Sequence, residues 1–136
     1  MIDEALQDHC LSDATLRRLV GDRIYPDFAP ASAAVPYVLR SRLSNPPHDH
    51  LAGEAAIASP TFQFTVVAAS NKQRNEVADA LRASLSRYSG SMGTDDVEVS
   101  SPEEADDIES AADGSERRLF VRRLDFEVWH SKEPAR

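Results

Sequence analysis

One cysteine, Cys10, stands in 136 residues. It has no partner for an internal disulfide, so burial must hold the fold together. A single domain of this length removes roughly two-thirds of its unfolded surface from water, so neither metal nor bridge is required. Cys10 itself is expected buried on the first helix, as free cysteines usually are. Basic charge is also short: 15 Lys and Arg face 23 Asp and Glu, a net charge of −8. That excludes the general basic footprint with which proteins grip nucleic acid. No apolar run approaches the ~18 residues of a membrane span. Met1-Ile2-Asp3-Glu4 is acidic and has no signal-peptide core. The expectation is a soluble protein of a reducing compartment, with no membrane partner. Glycine is sparse, with five residues in all. Gly90-Ser91-Met92-Gly93 lacks the lysine and the helix that a phosphate loop needs.

The stretch Thr61 to Tyr88 organises what is present. Phe62, Phe64, Val66 and Ala68 alternate with Thr61, Gln63 and Thr65. A period of two in aromatic and β-branched residues predicts a half-buried strand. Ser70-Asn71 offers cap chemistry. After it the period lengthens: Val77, Leu81, Leu85 and Tyr88 form one apolar stripe, which predicts an amphipathic helix ended by Ser89-Gly90.

Around this unit the chain divides into short elements. Residues 2–20 carry the stripe Ile2, Leu6, Cys10, Leu11, Leu16, Leu19, Val20, and Ser12-Asp13 can cap a new turn. One broken helix or two short ones are expected, stopped at Gly21. Ile24-Tyr25-Pro26 is a short extended piece and 27–35 a loop. Residues 36–43 predict a strand with Tyr37, Leu39 and Leu43 on one face and Val38, Arg40 and Arg42 on the other. Residues 44–60, with three prolines, have no clear period; Leu51 to Ile57 is read as a weak strand or an irregular piece. Gly90 to Thr94 is expected to be a flexible joint and 97–99 a short strand. Residues 100–115 read as solvated. Leu119 to His130 is the clearest strand. Phe120, Leu124, Phe126 and Val128 share one face; Val121, Arg123, Asp125, Glu127 and Trp129 share the other, which lies in water or against a partner. The fold class is α+β: a mainly antiparallel sheet of four to five strands with two helices on one face, in one domain over residues 1–136.

Candidate chemistry is thin. His48-Asp49-His50 puts two imidazoles two residues apart, but in a proline-rich loop without a third ligand, so an exposed loop is favoured over a metal site. His9 and Cys10 are adjacent on a helix and point apart, which excludes a nucleophile pair. Glu103-Glu104 and Asp106-Asp107 lack the desolvated pocket that acid catalysis needs. Neither a catalytic residue nor a cofactor is expected. Arg117-Arg118 and Arg122-Arg123 are expected to pair with the acidic segment across a hairpin.

The chain resembles the tail terminator (tail completion) proteins of long-tailed phages and phage-derived gene transfer agents. The resemblance rests on Leu19-Val20-Gly21-Asp22-Arg23-Ile24-Tyr25-Pro26, on Val35-Pro36-Tyr37-Val38-Leu39, on Phe62-Gln63-Phe64-Thr65-Val66 before its helix, and on the run Arg118 to Trp129. It covers most of the chain but not residues 90–116. It implies a structural role without catalysis: a homo-hexameric ring at the head-proximal end of a tail tube. The major tail tube protein lies on one side and the head connector or stopper on the other. Double-stranded DNA passes through the lumen unbound. Assembly in the bacterial cytoplasm into a virion or gene-transfer-agent particle follows. The alternative is another head–tail joining protein, then a small-molecule-binding domain, for which no convergent polar set is visible.

Two surfaces are singled out. Arg40, Arg42, Arg123, Asp125, Glu127 and Trp129 form a candidate oligomer or partner interface, as the charged faces of two strands. Residues 95–116 hold ten acids and no base, and the remaining thirteen acids face fifteen bases. Within that segment Glu103, Glu104, Asp106 and Asp107 are expected at the ring lumen or its edge, where they repel DNA. Placement on the rim against a basic partner is the alternative.

Overall fold

The computed structural model describes residues 2–44, 57–93, 95–110 and 117–131. Two short helices open the chain, α1 (Ile2–Ser12) and α2 (Ala14–Val20). Asp13 separates them because its carboxylate accepts from the Leu16 amide, the N-cap of a new helix. Gly21, at φ 61°, ends α2 in a conformation that side chains resist. The strands β1 (Ile24–Pro26), β2 (Tyr37–Ser44), β3 (Ile57–Ala58) and β4 (Thr61–Ala68) follow. The helix α3 (Asn71–Leu85) begins at Ser70, whose hydroxyl accepts from the Gln73 amide, while the Gln73 side chain accepts from Ala69. The chain closes with β5 (Ser89–Met92), β6 (Asp95–Val99), β7 (Glu103–Ser110) and β8 (Arg118–Ser131).

The sheet is larger than expected. Eight strands are joined in the order β1-β2-β4-β8-β6-β5, with β3 and β7 also paired to β8. The sheet is also mixed, since β1 runs parallel to β2 while every other pair is antiparallel. Among the described residues the helices number three, against two in the expected fold class, because the N-terminal stretch is the pair of short helices and not one broken helix. The 14 residues of β8 form the spine. Its first part lies between β4 and β7, and its last part between β3 and β6.

The core forms where the helices meet one sheet face. Ile2, Leu6 and Cys10 of α1, Leu16 and Val20 of α2 and Val77, Leu81 and Leu85 of α3 close on Phe62, Phe64, Val66, Leu124, Phe126 and Val128. The apolar faces expected for β4 and for Leu124, Phe126 and Val128 of β8 are those buried. On β2 the inward face is that of Val38 and Arg40, not that of Tyr37 and Leu39.

Three local expectations change. Helix α3 stops at Leu85, and Arg87 takes a left-handed φ of 59°, so Tyr88 lies beyond the helix. Its ring packs edge-on against His9, 4.7 Å between centroids, and its hydroxyl donates to the Ser91 carbonyl. Residues 90–92, within the joint expected at 90–94, belong to β5, because β6 supplies a partner for their backbone. Residues 103–110, expected as solvated coil, are β7, paired with β8 along their whole length. The short strand expected at 97–99 lies within β6.

Candidate functional site

Strand alternation decides where each singled-out residue stands. On β2, Arg40 and Arg42 point to the helix side. Arg40 is buried; its Nε donates to Gln7 Oε1 at 3.1 Å, and its guanidinium lies 3.6 Å from Asp3. Arg42 pairs with the same Asp3 and stacks over Phe62, 5.3 Å from the ring centre. Both arginines, with Asp3, Glu4, Pro26 and Asp27, line a cleft of about 520 Å³. On β8, Arg123, Asp125, Glu127 and Trp129 lie on the opposite, helix-free face. Arg123 is 3.6 Å from Glu109, and Asp125 accepts from Gln63 Nε2 at 3.0 Å. Trp129 is 39 % exposed and lines a second shallow cleft, of about 570 Å³, with Ser89, Gly90, Val97 and Glu98. The sequence-derived set therefore falls into two groups on opposite faces, not one patch.

The acidic segment is an ordered edge strand whose carboxylates also divide between the faces. Glu104 and Asp106 point to the helix side, and α3 and β8 hold cations there. Arg122 grips Asp106 with a two-pronged hydrogen bond, 2.6 and 3.1 Å, and donates to Asn75 of α3 at 3.0 Å. Arg82 of α3 donates to Glu104 at 2.9 Å and also pairs with Asp79. Arg74, buried above Phe120, stands 3.6 Å from Asp106. The Arg122 hydrogen bond holds the Asp106 carboxyl below its ordinary value, and the same contact raises Arg122. The hydrogen bond to Glu104, followed by that to Asp79, raises Arg82. The expected pairing of arginines with acids across a hairpin thus occurs at Arg122 and Arg123. Residues Glu103 and Asp107 are on the helix-free face, and no ion pair reaches either among the described residues.

Burial first, then Asp13, pushes the Cys10 thiol up to about 12, so it stays an unreactive core group. Among the described residues no three His, Cys, Asp or Glu gather as metal ligands. His48 and His50 lie outside the described residues. Burial first, then Glu109 and Tyr25, raises the Tyr37 phenol. No helix is long and apolar enough to cross a membrane among the described residues. Phe28, 79 % exposed in the loop after β1, and Ile108, 55 % exposed on β7, are apolar contacts that sequence reasoning did not single out. Neither belongs to a periodic stripe that could have flagged it.

The family model described as "Tail completion protein gp17" matches residues 4–131. A chain in the solved structure "Virion of native gene transfer agent (GTA) particle" shares the fold, with a TM-score of 0.65 at 18 % identity, covering 96 % of this chain and 98 % of that one. No curated protein matches the chain by sequence.

Proposed function

The chain belongs to the tail completion protein gp17 family, and from that premise we propose that it closes the head-proximal end of a phage-like tail tube as a ring. The observation that carries this is the extent of the family match, residues 4–131 of 136. The fold likeness supports it, because a chain of a gene transfer agent virion is covered over 98 % of its length. What aligns is therefore a whole particle subunit and not a shared motif.

In this role the protein is a homo-hexamer. Its ring stops tube growth, contacts the major tail tube protein on one side and presents a surface to the head connector or stopper on the other. Head-to-tail closure uses two different surfaces of each subunit. Arg42, exposed on the helix side, and Arg123 with Trp129 on the opposite sheet face supply two such candidates, while Arg40 is buried beneath Gln7 and Asp3. DNA passes without being held, in keeping with a net charge of −8. No residue is catalytic and no metal takes part: His48→Ala with His50→Ala leaves tail completion intact, scored as particle yield with and without a chelator.

The test is removal of the gene from a producing cell, with tails measured by electron microscopy. Tubes of irregular length that join no heads are expected, and a reconstruction of the neck should hold six copies. Normal-length tails that fail to join heads would instead make this a joining protein of the stopper kind. A single copy at the neck would remove the ring.

A further inference from the structure

Strand β7 has one edge on β8 and, among the described residues, no strand on the other. At eight residues its free edge runs for about 27 Å. Such edges are commonly blunted by brevity, proline, charged side chains, a bulge or a covering element. Here the only such device is charge of one sign: the strand has no proline and no lysine, its five charges are all acidic, and residues 103–109 are exposed. The backbone groups facing outward can be identified. The Ile108 amide donates to the carboxylate of Asp107, 2.8 Å away, and so is not committed to the ladder with β8. In an antiparallel strand the N–H and C=O of one residue point to the same side. Residues 104, 106 and 108 therefore turn their amides and carbonyls to the open edge, and the Ile108 amide would exchange the Asp107 carboxylate for a carbonyl of the incoming strand.

Charge restricts what can pair there. Glu103, Glu104, Asp106, Asp107 and Glu109 make five acids in eight residues. Arg82, Arg74 and Arg122 approach the helix side of the strand; on the other side Arg123, opposite Ala105, pairs with Glu109, and among the described residues no ion pair reaches Glu103 or Asp107. The same acidic edge of a second copy is disfavoured there by like charge, whereas an extended basic segment gains on both sides of the strand. A lumen lining would use the negative charge alone, and arginines already offset part of it. Docking uses both the charge and the free backbone.

We propose that β7 is a strand-addition site for an extended, lysine- or arginine-alternating segment of another protein. Backbone hydrogen bonds at 104, 106 and 108 supply register, and the carboxylates on either side select the basic partner. The inference concerns one protomer and does not depend on the ring, so it can fail while the ring stands, and the reverse.

The test uses a fluorescent alternating lysine–valine octapeptide with the full chain, read by anisotropy. A second peptide of the same sequence carries N-methyl groups on alternate amides, so its pairing edge is blocked while its charge is kept. The plain peptide should bind, and the methylated one should bind at least tenfold more weakly. Ile108→Pro, which removes an amide outside the β8 ladder, should weaken the plain peptide by a similar factor. The methylated comparison uses unaltered protein and does not rely on that variant folding. Equal binding of both peptides would reduce the site to charge, and no binding of either would make β7 only a protected edge. A fall in the protein's own oligomer mass with Ile108→Pro would give the edge to a second copy. Each of these three results overturns the proposal.

Discussion

Strand β8 has two long neighbours, and they are held to it by opposite means. On one side β4 contributes Phe62, Phe64, Val66, Val67 and Ala68, all buried. Phe64 meets Phe126 edge-on, with centroids 5.7 Å apart and planes at 85°. On the other side β7 contributes five acids and an exposed Ile108, and arginines of β8 and α3 reach it as hydrogen-bonded ion pairs. The backbone ladders are alike, each eight pairs long. The difference lies in the side chains: β4 is sealed by removal of apolar surface from water, β7 by charge at the surface. Surface ion pairs contribute little and respond to solution conditions. Apolar burial contributes much more, and pH barely alters it. One strand therefore belongs to the permanent core, and the other is a margin that can be tuned or engaged.

The largest test removes the core side of the comparison. Phe126→Ala should cost about 3–5 kcal/mol by leaving a cavity against Phe64, a large share of the ~5–15 kcal/mol that holds a domain folded. In urea unfolding, β4 and β7 should lose protection together, because β8 carries both. A smaller effect follows from Arg122→Ala, which strips Asp106 of its fork and Asn75 of its donor. The expected cost is about 1–2 kcal/mol, and hydrogen exchange should quicken at β7 amides while β4 amides stay slow. If both strands quicken equally, the division drawn here is wrong.

The same contrast explains which parts of the fold could be read in advance. Strands β4 and β8 were legible because aromatic and branched residues alternate with polar ones, a local signal for a half-buried strand. Nothing local marks β7: Glu-Glu-Ala-Asp-Asp-Ile-Glu-Ser has only two apolar residues and low strand propensity. Its conformation comes from pairing with β8, whose first residue, Arg118, stands eight positions after Ser110. Ser-Gly-Ser-Met of β5 is illegible for the same reason. The buried Arg40 was read as a surface charge, since its partners Gln7 and Asp3 stand more than 30 residues away in α1. The arginines paired with β7 were half visible. Arg122 and its acids could be matched by sign, but Arg82 and Arg74 look like any polar helix face until α3 is laid over β7.

Acid should separate the two strands without mutation. The Arg122 hydrogen bond depresses the Asp106 carboxyl from its ordinary 3.8. A depressed carboxyl contributes stability that is present above the unfolded value and is lost as pH falls through the folded one. Protection in β7 should therefore be flat from neutral pH down to about 4 and drop below that, after correction for intrinsic exchange rates. Protection in β4, whose buried contacts do not titrate, should persist to lower pH. Loss of both at one pH would mean that acid acts on the core as a whole.

Salt should produce the smallest change, and its size tests the mechanism more finely than its existence does. The Debye length shortens from about 10 Å to about 3 Å between 0.1 and 1 M. The Arg122–Asp106 and Arg82–Glu104 contacts are 2.6 and 2.9 Å long, so salt weakens them only in part. Longer pairs such as Arg74–Asp106 and Arg123–Glu109, both at 3.6 Å, lose more. The sum should be a few tenths of a kcal/mol, seen as roughly twofold faster exchange at β7 amides, with no matching change at β4. In Arg122→Ala that acceleration should shrink, because the cation nearest Asp106 is already gone. An acceleration of the same size in the variant would show that the β7 acids are screened as a repelling group and not through their arginines. The strand would then be limited by its own charge, and neutralising Glu103 or Asp107, which no ion pair reaches among the described residues, should slow its exchange.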